Sequence, residues 1–282
     1  MPTRDITFSP DGTEVFFGVN IGDFSYSTIL HSKLENGLWS EPEVASFSNG
    51  PGYSFLEPFL SADGNKLFFV STQKNEFEID NNFQTDIWVT EKVNGEWNTP
   101  YKLDTLINSK SQEYYPSLAE NGNLYFTRKI PNKGEFIFKS EFENGECQGP
   151  VKLPAAVNGC AARFNATIAR DESFIIVPTL GLKDTYGSVD YYISFFDEGK
   201  EWSNLINMGN KMNSHASLEY STSFSPDGKY IFFMSARTKP TMKEKLTFSY
   251  LKKMHNSPEN GNSNIYWMES AFIDELKKRC YF

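Results

Sequence analysis

The stretch Phe224-Ser225-Pro226-Asp227-Gly228-Lys229-Tyr230-Ile231-Phe232-Phe233 decides the fold, because near copies of it recur along the chain. It reads as a strand running into a tight Asp-Gly turn and an aromatic strand running out of it. The other copies turn at Asp11-Gly12, Asp63-Gly64, Asn121-Gly122 and Asp171-Glu172, so successive turns lie 52, 58, 50 and 56 residues apart. That period is slightly longer than a typical propeller blade and too long for most helical solenoids. Each turn is followed by an apolar run, such as Val15-Phe16-Phe17 or Phe174-Ile175-Ile176-Val177, of the kind that suits strands buried on both faces.

A second unit sits downstream of each of the first four turns. Thr28 to Pro42 matches Asp86 to Pro100 around Asn36-Gly37 and Asn94-Gly95, with Trp39 and Trp97 in the same place. Glu135 to Pro150 keeps Asn144-Gly145, and Asp190 to Trp202 keeps the Gly and the Trp. Asn-Gly between strand-like runs is a strong hairpin signal, since a type I′ turn needs positive φ at both central residues. Four antiparallel strands per repeat make propeller blades. The expectation is an all-β, single-domain β-propeller over residues 1–282, with five four-stranded antiparallel blades near 4–50, 51–108, 109–160, 161–214 and 215–282. A sixth blade follows only if an absent N-terminal segment supplies strands. The fifth unit lacks a fourth strand: Asn264-Ile265-Tyr266-Trp267-Met268 reads as a third strand, whereas Ala271 to Arg279 has helical spacing. Blade five is thus closed either by packing or by a segment upstream of Met1.

Composition narrows the function classes. The chain is 39% hydrophobic and 16% aromatic, which argues against disorder. Its net charge of -9 repels phosphate backbones and makes nucleic acid a poor partner. Cys147, Cys160 and Cys280 are too sparse for a disulfide framework or a zinc site, and no apolar run reaches membrane-span length. His31, His215 and His255 match no metal motif, and neither a Gly-x-Ser-x-Gly elbow nor a phosphate loop occurs. The oxygens of Asn20 to Asp23 and Asp80 to Asn82 do not follow calcium-loop spacing, and the Asn165-Ala166-Thr167 sequon falls in an expected inner strand.

Candidate site residues come from counting back from each turn. Seven residues before the turn Gly, or its counterpart Glu172, stand Asp5, Glu57, Tyr115, Asn165 and Ser221; nine before stand Thr3, Phe55, Glu113, Arg163 and Glu219. Period-two alternation would put both sets on one strand face, so four carboxylates and Arg163 should converge at one channel mouth. Asp5, Glu57, Glu113, Tyr115, Arg163 and Glu219 are the candidate ligand or partner contacts. No metal is assigned, although Glu57, Glu113 and Glu219 could hold Ca²⁺. The bland alternative is that these acids bond neighbouring blades and lock the ring. Trp39, Trp97 and Trp202 share one register, which favours inter-blade packing over a sugar-stacking surface. The excursion between Ser235 and Asn264, with Lys243-Glu244-Lys245 inside it, is either a contact loop or an ordinary insertion.

The Ser-Pro-Asp-Gly turn with its aromatic strand, joined to the openings Asp86-Ile87-Trp88 and Asn264-Ile265-Tyr266-Trp267, resembles the TolB-like, WD-repeat-like propeller family. The resemblance covers about Arg4 to Met268. Arg170-Asp171-Glu172-Ser173 departs from the family pattern, so the blade-four turn is expected to differ. The resemblance implies a periplasmic or extracellular place, although this chain carries no signal peptide. It does not select an activity. The leading expectation is a monomeric, non-enzymatic binding or interaction scaffold. Its protein or small-molecule partner would meet the acidic channel mouth or the 235–264 loop. The alternative is a cation-assisted hydrolase or lyase acting on a small or sugar-like substrate at the channel. No catalytic residue is assigned.

Overall fold

The structure, a computed structural model, describes residues 1–22, 25–74, 84–197, 199, 201–216, 218–239 and 245–280. Asp23, Asp80 to Asn82, Lys243 and Glu244 lie outside the described residues. Five antiparallel sheets form the blades of a propeller ring. Their inner strands are Thr3–Phe8, Phe55–Leu60, Gln112–Leu118, the pair Ala162–Arg163 and Thr167–Ile168, and Glu219–Phe224. Their second strands are Glu14–Ile21, Lys66–Ser71, Leu124–Ile130, Phe174–Leu180 and Tyr230–Ser235. The third strands are Tyr26–Glu35, Asp86–Val93, Gly134–Ser140, Val189–Phe195 and Asn264–Glu269.

The repeated turn is built by its side chains as well as its glycine. Ser9 Oγ donates to Asp11 Oδ1 at 2.6 Å, and that oxygen accepts the Thr13 N–H at 3.0 Å. Ser61 with Asp63 and Ser225 with Asp227 repeat the arrangement at 2.6 and 2.7 Å. These bonds hold the Asp11 and Asp227 carboxyls down at about 2. Gly64 has φ 73°, and a Cβ there would meet Pro10 Cδ of the blade-one turn at 2.8 Å, so both conformation and space require glycine.

The blade-four turn corrects the expectation of a different geometry. Ser173 N–H donates to Asp171 Oδ1 at 3.0 Å, and Glu172 N–H reaches Ala169 O at 3.0 Å, as Gly12 N–H reaches Ser9 O at 2.9 Å. Glu172 occupies the left-handed position itself, at φ 59°. Its carboxylate is gripped from blade three by Tyr125 Oη at 2.6 Å, Asn121 Nδ2 at 2.8 Å and Lys139 Nζ at 3.1 Å. Those bonds offset a conformation that costs a non-glycine residue roughly 1 kcal/mol.

The Asn-Gly hairpins have positive φ at both residues in all three copies. Four apolar clusters fill four of the seams between blades. Phe47, Phe69 and Trp97 meet between blades one and two; Ile107, Phe126 and Phe138 between two and three. Val157, Ile175 and Trp202 meet between three and four; Met212, Ile231, Phe233 and Ile273 between four and five. The helix Phe272–Lys277 buries Ile273 and Leu276 in that last seam, where a fourth strand of blade five would otherwise place its Trp. Among the described residues blade five has three strands.

Candidate functional site

Each inner strand is interrupted at the residue seven before its turn. The ladder with the second strand slips between Arg4 and Thr7, Leu56 and Phe59, Tyr114 and Ser117, and Tyr220 and Thr222, and in blade four the inner strand breaks in two. The residues at the slip, Asp5, Glu57, Tyr115, Asn165 and Ser221, have φ of 54°, 55°, 53°, 48° and 68°. A bulge resets the side-chain alternation, so positions seven and nine before the turn no longer share a face.

The first set converges on the ring axis, where all five residues are buried with Arg4. The Arg4 guanidinium bonds the Asp5 carboxylate, reaches Glu57 Oε1 at 2.8 Å and donates to Tyr220 Oη at 3.1 Å. Glu57 Oε2 accepts the Tyr115 N–H at 2.7 Å, and Oε1 accepts Asn165 Nδ2 at 3.3 Å. Ser221 Oγ donates to the other oxygen of Asp5. The Tyr115 hydroxyl donates to Thr222 O at 3.1 Å and accepts the Thr222 N–H at 3.0 Å. Burial, then the Asp5 carboxylate, push Glu57 up to about 7 against the pull of Arg4 and the two N–H donors. Burial also works against the Arg4 charge, but Asp5, Tyr220 and Glu57 outweigh it and raise the guanidinium above its ordinary range.

The second set goes elsewhere, which corrects the expected convergence. Glu113 accepts from Ser109 Oγ and Arg128 Nε, each at 2.6 Å; Glu219 accepts from Ser214 Oγ and Ser235 Oγ, each at 2.7 Å. Phe55 joins the apolar seam of blades one and two. Burial raises both glutamates, opposed by these bonds. Arg128 and Arg237 in turn bond Ile107 O at 2.8 Å and Met212 O at 2.7 Å, tying down the segment that enters each blade. In blade four Arg163 does this alone, bonding Asn158 O at 2.6 Å and Cys160 O at 2.8 Å. Arg163 breaks the sequence repeat because it replaces the Glu–Arg pair with a single cation. Glu57, Glu113 and Glu219 therefore lie in three separate bonded sets. Among the described residues no three His, Cys, Asp or Glu side chains are grouped to hold a metal ion.

Sequence reasoning missed a further repeated device. Asn108, Asn158 and Asn213 each clamp one residue of the third strand in their own blade. The Asn108 amide accepts Ile87 N–H at 2.8 Å and donates to Ile87 O at 2.9 Å; Asn158 and Asn213 do the same at Ile137 and Tyr191. The signal was present as apolar-x-x-x-apolar-Asn in Leu103 to Asn108, Leu153 to Asn158 and Met208 to Asn213.

Open surface lies away from the axis. Below the axial cluster the channel narrows to a cavity of about 50 Å³ between Phe59, Leu118, Ile168 and Phe224, room for roughly a water or two. A polar groove of about 1140 Å³ runs between blades two and three, lined by Lys74, Gln84, Lys102, Lys110, Gln112 and Lys129. On blade five the helix Phe248–His255 is capped by Thr247 Oγ1, which accepts Tyr250 N–H at 3.2 Å. That helix has no buried residue. Phe248 is 82% exposed, beside the exposed Leu246 and Leu251. No helix among the described residues is long and apolar enough to cross a membrane.

No family model matches the sequence, and no curated protein matches it significantly. Solved structures do resemble the fold. TolB from Acinetobacter baumannii shares 16% identity at a TM-score of 0.50, covering 83% of this chain and 49% of its own. A putative TolB from Agrobacterium tumefaciens shares 13% at 0.54, covering 82% and 69%. A thermostable family-43 glycoside hydrolase shares 14% at 0.57, covering 95% and 89%. This chain thus spans about half the length of the first of these and over two thirds of the second. At such identities the likeness extends to architecture alone: the chain is a five-bladed β-propeller, and the two TolB structures are among those that share its fold.

Proposed function

We propose that this chain is a non-enzymatic binding scaffold whose rigid ring presents the blade-five arm, around helix Phe248–His255, to a polypeptide partner. The observation that carries the reading is the contrast between axis and arm. At the axis, Asp5, Glu57 and Tyr115 are buried and spend their polar atoms on Arg4, Ser221, Asn165 and backbone groups. On the arm, Leu246, Phe248 and Leu251 are held out of every core cluster, next to Lys252 and Lys253. Exposed apolar residues grouped on one short element are a common mark of a protein contact. The hydrolase or lyase reading would need Glu57, Glu113 and Glu219 around one cation, and they sit in separate networks. A periplasmic or extracellular place remains part of the proposal.

The test is affinity capture from the native host with the intact chain, with Phe248→Asp/Leu251→Asp, and with Glu57→Gln. Capture of a discrete partner that the arm variant loses and the Glu57 variant keeps is the expected result. Capture that depends on Glu57 and ignores the arm would overturn the assignment, as would turnover of a glycoside panel abolished by Glu57→Gln.

A further inference from the structure

In blades one to four the third strand is covered by a short fourth strand, with pairs His31↔Glu43, Val89↔Tyr101, Lys139↔Val151 and Ile193↔Ile206. The chain then drops two apolar side chains into the seam toward the next blade: Leu103 and Ile107, Leu153 and Val157, or Met208 and Met212, with Ala45 and Phe47 doing so in blade one. The same segment bonds back to the third strand, Ala45, Leu103, Leu153 and Met208 donating their N–H to Ile29, Ile87, Ile137 and Tyr191 O at 2.9 to 3.1 Å. The Asn clamp follows, or Ser48 Oγ to Ile29 O at 2.9 Å in blade one.

Among the described residues blade five has none of this. Met234↔Ile265 is the ladder pair equivalent to Val70↔Ile87, and Phe232↔Trp267 is equivalent to Phe68↔Val89. No strand among the described residues pairs with the outer edge of Asn264–Glu269. Trp267 is 64% exposed where Val89 and Ile193 are 1% and 0%. The opposite wall shows the same vacancy. Trp97 packs against Phe47 of the preceding blade at 6.2 Å, and Trp202 joins the Leu153 and Val157 cluster, whereas their blade-one counterpart Trp39 is 45% exposed. None of the four apolar clusters fills the seam between blades five and one. That seam is joined at its inner end, where Thr3 N–H donates to Ser263 O at 2.9 Å as Glu113 N–H donates to Thr85 O at 3.0 Å.

We propose that the seam between blades five and one is a strand-acceptor site. Its occupant is one extended segment of a partner polypeptide, reading apolar-x-x-x-apolar-Asn. The segment adds antiparallel to Asn264–Glu269, sets its two apolar side chains between Trp39 and Trp267, and clamps the Ile265 backbone with its amide. Main-chain pairing supplies affinity, and the two pockets with the amide supply selectivity, as in other β-augmentation sites. The four filled seams are the template for it, and an open aromatic edge strand is a surface that proteins otherwise cover.

The probe is a synthetic peptide of residues Thr99–Lys110, added to the intact chain, and the same segment placed directly before Met1. In that fusion Asn108 stands as far from Thr3 as it does from Glu113. Saturable binding is expected, with amide exchange of Asn264–Glu269 slowed at least about tenfold and a Tm of the fusion raised by about 5 °C. Ile107→Asp or Asn108→Asp in the segment, or Trp267→Ala in the chain, should weaken binding at least about tenfold. The proposal is overturned if neither format slows exchange, or if the substituted segments act as well as the parent. It is also overturned if the free chain already protects this strand in proportion to its concentration, since a second copy would then be the cover.

Discussion

Glu57 offers the sharpest test of the axial cluster, because one buried guanidinium there serves two buried carboxylates. The ordinary value for a glutamate is 4.5, and burial in the ring pushes Glu57 up to about 7. Between those values the folded state holds a proton that the unfolded state has released, so stability falls as pH rises through that window and levels off above it. At roughly 1.4 kcal/mol for each pH unit the fall is about 3 kcal/mol, a sizeable share of a typical folding free energy. Glu57→Gln stays neutral throughout and lacks this contribution. Glu113 and Glu219 are raised in the same direction in both proteins, so they drop out of the comparison. Urea denaturation of the two proteins from pH 4.5 to 7.5 should show the wild type losing about 3 kcal/mol relative to the variant. Parallel curves would refute the reasoning, as would a Glu57 carboxyl carbon titrating at or below 4.5 by NMR. Either would mean that Arg4 and the N–H donors outweigh burial, and that the axis holds an ordinary ion-pair triad.

Glu172→Ala should cost about 2 kcal/mol in chemical denaturation, by removing the acceptor for Tyr125, Asn121 and Lys139. Glu172→Gly should be about 1 kcal/mol less harmful, because it accepts the positive φ; equal costs would mean that the backbone is unstrained. Asn158→Asp keeps an acceptor for the Ile137 N–H but cannot donate to Ile137 O or Leu153 O, and should lower stability by about 2 kcal/mol; an unchanged Tm would refute the clamp. Trp97→Ala opens a void beside Phe16 and Phe47 and should cost about 3 kcal/mol, whereas Trp39→Ala should cost under about 1 kcal/mol; similar losses would mean that the fifth seam is already packed.

The ring was legible in the sequence because its turns are written in side chains that act locally. Ser225 and Asp227 bond within their own turn, and Asn94-Gly95 selects its own hairpin, so neither needs the rest of the molecule to be recognised. The missing strand of blade five was legible for the same reason, as an absent Gly-x-Trp hairpin. The axial site was only half legible. Counting back from each turn found Asp5, Glu57 and Tyr115, but a left-handed Glu or Tyr carries no compositional mark, and the bulge it makes is stabilised by partners on other blades: Tyr115 N–H by Glu57, and Asp5 by Ser221. The period-two rule therefore fails at the residues where the strands meet, and it groups Glu113 and Glu219 with axial residues from which their bonds separate them. The same locality explains Asp171-Glu172: a residue that breaks the turn pattern can keep the turn when another blade holds it, and Tyr125 lies 47 residues away in sequence. Repeat arithmetic thus locates the backbone reliably wherever each blade is self-sufficient. It misplaces side chains where blades depend on one another, and in a ring that dependence is concentrated at the axis and along the seams, where a partner strand would act.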